Sequence, residues 1–136
     1  MESEVIANLE THKPRGGSTA LCSIIYNNQL YSANLGDSRA VIVKERHAVP
    51  LSNIHDFTNT SERLTVEQKG GTLLRDRLEG ELALSRSIGD INFKAFMSSE
   101  PEITVHNVTE DDKYLLLATD GFWNVSEGVD EVFIIL

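Results

Sequence analysis

The stretch TALCSIIYNNQLYSANL, residues 19–35, carries the strongest strand pattern in this chain. Its first half is rich in β-forming residues, and its second half alternates, with Tyr31, Ala33 and Leu35 on one face. Asn27 and Asn28 stand between the halves and can supply the positive φ angles of a two-residue hairpin turn. The pattern therefore predicts two paired antiparallel strands.

Similar patterns after this hairpin predict more strands. Residues 39–43 and 47–51 continue the series after turns at residues 36–38 and 44–46, so we expect an antiparallel meander of four strands. Further short apolar or alternating runs predict strands at residues 73–74, 82–84, 103–106 and 113–119, the last of them buried.

Helical spacing appears in three places. Residues 2–10 carry apolar side chains at helical spacing, and residues 127–136 predict the start of a helix. Between them, Thr60 or Ser61 can cap a helix that runs to Lys69 and stops at Gly70-Gly71. No repeat, low-complexity tract or linker divides the chain, so we interpret it as one α+β unit.

The composition of the chain excludes several classes of function. The chain has 136 residues, with 12 Lys+Arg against 21 Asp+Glu and a net charge of −9. Such a charge repels nucleic acid and anionic lipid, so we expect neither as a partner. The single cysteine, Cys22, lies in an apolar run and is interpreted as a buried thiol. Without disulfides, a basic signal peptide or a membrane span, the chain is expected to be intracellular, in the cytoplasm or the nucleus.

Two strand ends carry an aspartate beside a glycine, and these are the candidate metal ligands. Asp37 lies in NLGDS, residues 34–38, and Asp120 lies in LATDG, residues 117–121. Carboxylates at adjacent strand ends can converge, and Mg²⁺ or Mn²⁺ prefers such oxygen ligands. Each motif alone is also ordinary turn chemistry. Arg86 and Asp90 are interpreted as an internal ion pair.

Other chemical motifs are weaker. The chain has no Gly-x-Ser-x-Gly elbow, and Gly16-Gly17-Ser18-Thr19 lacks the Lys-Ser/Thr ending of a phosphate loop. Its four histidines lack zinc-site spacing and are interpreted as surface or strand residues. Trp123 is expected to plug the core after the Asp120 turn.

Taken in order, six segments resemble the metal-dependent protein serine/threonine phosphatases of type 2C, over residues 17 to about 130. The matching segments are GSTA (17–20), NLGDSRA (34–40), ERL to GG (62–71), LALSRSIGD (82–90), PEI (101–103) and LLLATDGFWNV (115–125).

The resemblance implies a fold, a site and a reaction. The implied fold is part of a four-layer α-β-β-α sandwich of antiparallel sheets, with two or more Mg²⁺ or Mn²⁺ ions in the complete domain. Asp120 resembles the aspartate that ligates the metal centre directly, Asp37 resembles one that helps hold a weaker additional metal, and the segment of Asp90 resembles structural support nearby. The implied reaction is attack of a metal-activated water on a phosphoserine or phosphothreonine protein.

Several family features do not occur in this sequence. The family domain opens with an acidic ligand, a phosphate-binding arginine and an Asp-Gly-His-Gly-Gly motif, and it closes with an Asp-Asn motif. We therefore expect residues 1–136 to be a partial domain lacking both ends, inactive alone, whose sheets a partner or the missing segments complete. Ile54 and Asn124 stand where the family usually has acids. A non-catalytic phosphatase-like interaction module is the alternative.

Overall fold

The structure, a computed structural model, describes residues 3, 4, 6–8 and 16–125. The five described residues near the N-terminus are helical, as their spacing predicts. The helix predicted over residues 127–136 lies outside the described residues. No helix in the described part is long and apolar enough to cross a membrane.

Eight strands, two α-helices and one 3₁₀-helix follow in the range 16–125. They are β1 Gly17–Ser18, β2 Ala20–Tyr26, β3 Gln29–Leu35, β4 Arg39–Lys44, β5 Ala48–Pro50, the helix Thr60–Gln68, β6 Ile88–Gly89, the 3₁₀-helix Ile91–Phe93, β7 Glu102–Asn107, β8 Asp112–Ala118 and the helix Asp120–Trp123.

The predicted hairpin is confirmed. Strands β2 and β3 pair antiparallel from Ala20 opposite Leu35 to Tyr26 opposite Gln29. Asn27 and Asn28 have φ angles of 50° and 58°, the left-handed values that the turn requires. Strand β7 pairs with the other edge of β3 and completes a sheet in the order β2-β3-β7.

The predicted four-stranded meander is wrong, because the chain changes sheets between β3 and β4. Strand β4 pairs with β5 and β8 in a second sheet of order β5-β4-β8. Its sequence explains the change: Ala40, Val41, Ile42 and Val43 are all buried, so β4 needs a packed layer on each of its faces. A central position in a second sheet supplies both layers.

The two sheets pack face to face. Leu30 of β3 contacts Ala40 and Ile42 of β4 in one apolar cluster, to which Leu115 of β8 adds. On the opposite face of β4, Val41 and Val43 pack against Trp123, which is 3% exposed. Trp123 therefore plugs the core as predicted, and its Nε1–H donates to the Ala118 carbonyl at 2.9 Å.

The outer face of the β2-β3-β7 sheet is apolar and exposed. Leu30, Ser32 and Asn34 of β3 are buried, so Tyr31 and Ala33 lie on the outward face. Cys22, opposite Ala33, is exposed, which corrects the prediction of a buried thiol. The prediction failed because an apolar run alone does not show which face of a strand is covered.

The long connection from β5 to β7 contains the helix Thr60–Gln68, and the rest of the connection packs on this helix. Asn59 caps this helix by accepting the Ser61 N–H at 3.1 Å, one residue before the predicted cap, and Gly70 ends it with a φ angle of 88°. Val66 and Leu78 share a core with residues of the connection. The short strands predicted at 73–74 and 82–84 form only isolated bridges.

Candidate metal-binding cleft

Strand register brings the two candidate metal-binding turns side by side. Arg39 at the start of β4 lies opposite Ala118 at the end of β8. The turn that enters β4 therefore lies beside the turn that leaves β8. Asp37 belongs to the first and Asp120 to the second, and both line one cleft of about 460 Å³. The predicted convergence of these two aspartates is what the geometry shows.

The electrostatics of the cleft favour a cation. Burial and the negative charge of Asp120 raise the pKa of the Asp37 carboxyl above its usual value, against a backbone hydrogen bond and Arg39, which lower it. Asp56 adds a further negative charge. Like charges that face each other in a partly buried site disfavour ionisation, and a bound cation would relieve that repulsion.

A third carboxylate, Asp90, lines the same cleft. The Ser87 hydroxyl donates to its Oδ2 at 2.6 Å, and the Asp90 N–H donates to the Gly16 carbonyl at 2.9 Å. A Cβ atom at Gly17 would lie 2.1 Å from Oδ2, so only glycine permits β1 to pass this close to the carboxylate. Asp90 is therefore held at the cleft wall by Ser87 of its own segment and by the backbone at Gly16 and Gly17.

The Asp37 turn, residues 36–38, is itself closely packed. Gly36 has a φ angle of 108°, and a Cβ atom there would lie 2.4 Å from Thr19 Cγ2. The Thr19 and Ser38 hydroxyls are 2.9 Å apart and hydrogen-bonded, which ties the residue before β2 to the turn. These contacts fix the backbone that carries Asp37.

Comparison with known proteins identifies the family. The family model described as "Protein phosphatase 2C" matches residues 1–134. The chain belongs to the protein phosphatase 2C family. The match extends the predicted resemblance over residues 17 to about 130 in both directions. The helices and antiparallel sheets of the structure confirm the α+β fold class.

Individual relatives support the same family. The chain is 44% identical over 119 residues to "Probable protein phosphatase 2C 55" of Oryza sativa subsp. japonica, and this alignment covers 85% of this chain and 32% of that protein. It is 45% identical over 112 residues to "Protein phosphatase 2C 3" of Arabidopsis thaliana, covering 80% of this chain and 25% of that protein. The chain thus spans about a quarter to a third of these relatives' length.

Solved structures share the fold. A structure titled "Structure of a C.elegans sex determining protein" superposes with a TM-score of 0.91 at 28% identity, covering 98% of this chain and 34% of that one. The serine-threonine phosphatase 2C of Toxoplasma gondii gives a TM-score of 0.82 at 24% identity, covering 96% and 50%, and supports the fold alone.

The donor set fits a hard divalent cation in part. Asp37 and Asp120 offer carboxylate oxygens, the ligand type that Mg²⁺ and Mn²⁺ prefer. Over residues 16–125 and the five described N-terminal ones, no group of three or more His, Cys, Asp or Glu side chains is arranged to hold a metal ion. Among the described residues, Asp37 and Asp120 are therefore a pair of carboxylates and not part of a larger donor group.

The predicted pair of Arg86 and Asp90 is wrong. Arg86 instead binds Glu62, with Nη2 at 2.5 Å from Oε1 and Nε at 3.0 Å from Oε2. Glu62 lies on the helix Thr60–Gln68, whereas Asp90 is satisfied by Ser87. Sequence proximity suggested the wrong partner, because the helix brings a better carboxylate from 24 residues away.

Proposed function

We propose that this chain is a partial domain of a metal-dependent protein serine/threonine phosphatase, in which Asp37 and Asp120 contribute ligands to a divalent cation. The observation that carries the proposal is their convergence on one cleft in a chain of the phosphatase 2C family. Mg²⁺ or Mn²⁺ is the proposed ion, and two or more ions are expected in the complete domain.

The residues of the cleft have separate roles in this proposal. Asp37 and Asp120 hold the cation from two adjacent turns. Asp90, fixed by Ser87 at 2.6 Å, keeps a third negative charge on the wall without being counted as a ligand. When bound, the cation would neutralise a phosphate and supply a water of lowered pKa.

The proposed substrate is a phosphoserine or phosphothreonine protein. A chain with a net charge of −9 repels a phosphate group unless cations intervene. The cleft lining includes the hydroxyl residues Ser18, Thr19 and Thr119 but no lysine or arginine among its described residues. Phosphate recognition is therefore assigned to bound cations.

Cation binding and turnover test the proposal separately. Mn²⁺ binding to the 136-residue chain is measured by isothermal titration calorimetry, and turnover is measured with a phosphoserine peptide. We expect Asp37→Asn and Asp120→Asn to weaken Mn²⁺ binding, and Asp76→Asn, a matched change at an exposed aspartate, to leave it unchanged. Equal Mn²⁺ affinity in all three variants would refute the site.

The turnover assay separates the activity of the chain from that of a longer protein. We expect no turnover by these 136 residues alone, because they span about a quarter to a third of the relatives. Mn²⁺-dependent turnover that disappears in Asp120→Ala would show instead that the chain suffices.

A non-catalytic phosphatase-like interaction module is the second candidate. Asn124 favours it: this residue follows Asp120 by one helical turn, its N–H donates to the Asp120 carbonyl at 2.8 Å, and it is neutral where the family usually has an acid. Such a module would bind a phosphopeptide without hydrolysing it. Restoring the charge with Asn124→Asp and measuring Mn²⁺ affinity distinguishes the candidates, because a large gain would indicate that the neutral residue weakens the cation site.

A further inference from the structure

His55 is a buried side chain that none of the roles above uses. It lies in the segment between β5 and the helix Thr60–Gln68, and its side chain is 1% exposed. A buried imidazole needs partners for both ring nitrogens. Those partners connect it to the cleft.

His55 holds Gly36 by two hydrogen bonds. The Gly36 backbone N–H donates to the ring Nδ1 of His55 at 3.1 Å, and the backbone N–H of His55 donates to the Gly36 carbonyl at 3.1 Å. The first bond acts on the Leu35–Gly36 peptide and the second on the Gly36–Asp37 peptide, so together they hold both sides of the residue that precedes the candidate ligand. The close approach of Thr19 blocks the other side of the same glycine.

The second ring nitrogen orients the imidazole. Because Nδ1 accepts a hydrogen bond, the proton of the neutral ring lies on Nε2, which is 3.3 Å from Glu102 Oε2. The other oxygen of Glu102 accepts from Asn53 at 2.8 Å. The Asn34 amide donates both to the Asn53 carbonyl at 2.8 Å and to the Gly36 carbonyl at 3.2 Å. This closed network surrounds the Asp37 turn.

The backbone of His55 is anchored on its other side. Its carbonyl accepts from the Ser85 N–H at 3.0 Å, and the Ser85 hydroxyl donates to Glu62 at 2.6 Å. Burial and the positive charge of Arg86 lower the pKa of His55, against Glu62 and Glu102, which raise it. A neutral ring agrees with the acceptor role of Nδ1.

We propose that His55 is a positioning residue: through Nδ1 it holds the Gly36 peptide and so fixes Asp37 for cation binding with Asp120. This role rests on the proposed function only in its last step. The hydrogen bond to Gly36 is a property of the fold and can be measured without any cation.

Two substitutions separate the ring nitrogens. In His55→Asn, Oδ1 takes the place of Nδ1 and can accept from Gly36, while the link to Glu102 is lost. In His55→Gln, Nε2 can still reach Glu102, but no acceptor remains for Gly36. The two variants have similar size and polarity, so a merely structural role predicts similar effects from both.

Nuclear magnetic resonance on the 136-residue chain gives readouts that do not depend on activity. In the unmodified chain, long-range ¹H–¹⁵N spectra are expected to show His55 with its proton on Nε2. A proton on Nδ1 would overturn the proposal before any variant is made. Amide exchange at Gly36 is expected to be about tenfold faster in His55→Gln than in His55→Asn, the effect of one hydrogen bond.

Mn²⁺ affinity then tests the link to the cleft. We expect His55→Gln to weaken Mn²⁺ binding about five- to tenfold and His55→Asn to weaken it less than about twofold. Equal losses in both variants, measured where each is folded, would overturn the positioning role. If Asp37→Asn leaves Mn²⁺ binding unchanged, the proposed cation site fails instead. The exchange rates then decide alone whether His55 holds the Asp37 turn, and equal rates reject it.

Discussion

Replacing Glu62 with alanine removes the centre of a buried ion pair with Arg86. The Glu62 carboxylate accepts three hydrogen bonds, at 2.5 and 3.0 Å from Arg86 and at 2.6 Å from the Ser85 hydroxyl. Its side chain is 8% exposed and that of Arg86 is 23% exposed. The alanine variant leaves a guanidinium with little water around it and a buried hydroxyl without its acceptor.

The expected loss follows from this geometry. Breaking a buried pair by removing one partner costs about 3–5 kcal/mol in the free energy of unfolding. Because Arg86 keeps some contact with water, we expect the lower end, about 3 kcal/mol. That loss is a large share of the stability of a domain of this size, about 5–15 kcal/mol.

Urea denaturation followed by the fluorescence of Trp123 measures this loss. Asp76→Ala is the matched control. Asp76 pairs with Arg63, the neighbour of Glu62 on the helix Thr60–Gln68, but the Asp76 side chain is 66% exposed, so this variant should lose at most about 1 kcal/mol in the free energy of unfolding. Equal losses for Glu62→Ala and Asp76→Ala would refute the reasoning that burial makes the difference.

The pair also predicts a dependence on pH. Burial alone would raise the pKa of Glu62, but hydrogen bonds from Arg86 and Ser85 outweigh it, and the pKa is lowered in the folded state. The stabilisation is therefore present above the unfolded pKa, near 4.5, and is lost as the pH falls through the folded pKa. In Glu62→Gln, this part of the acid sensitivity should disappear.

Two further changes test the turn and the sheet connection. Gly36→Ala combines a positive φ angle of 108° with a Cβ atom 2.4 Å from Thr19. It should lower the urea midpoint more than Gly70→Ala, where φ is 88° and no atom lies within 4 Å, and equal shifts would mean that the close contact is unimportant. Asp112 is held by Lys44 at 2.6 Å, and its pKa is well below the usual value, because hydrogen bonds from Lys44, Thr109 and His106 outweigh burial. Asp112→Asn should cost about 1–3 kcal/mol at pH 7. It should cost less in acid, because the stabilisation is present above the unfolded pKa, near 3.8, and is lost as the pH falls through the lower folded pKa. Urea titrations showing the same cost at pH 7 and in acid would contradict this assignment.

Local chemistry explains where sequence reasoning succeeded. The hairpin at Asn27-Asn28 depends on residues that tolerate positive φ angles and on strands adjacent in the chain. The helix stop at Gly70 and the buried Trp123 likewise follow from nearby residues. Asp37 and Asp120 could be selected because each follows a strand and stands beside a glycine.

Contacts between residues distant in the chain could not be predicted from the sequence. The meander failed at Gly36, where the identity of the turn does not reveal which sheet the next strand joins. Arg86 was assigned to Asp90 because the two are close in the chain, whereas the folded helix offers Glu62. His55 was not selected, because the histidines lack metal-site spacing. Its actual partner, Gly36, lies 19 residues away in the chain, so the sequence gives no sign of the contact.

Short stretches of sequence were enough to predict the family resemblance, the strand ends that carry Asp37 and Asp120, and the turns that Asn27, Asn28 and Gly70 permit. These features depend on neighbouring residues, whose conformational preferences act over a few bonds. Three features depend on the folded chain: β4 lies between two packed layers, its register with β8 places the two aspartates on one cleft, and His55 is hydrogen-bonded to Gly36 beside Asp37. Those outcomes depend on burial and on contacts between distant segments, which only the folded chain brings together.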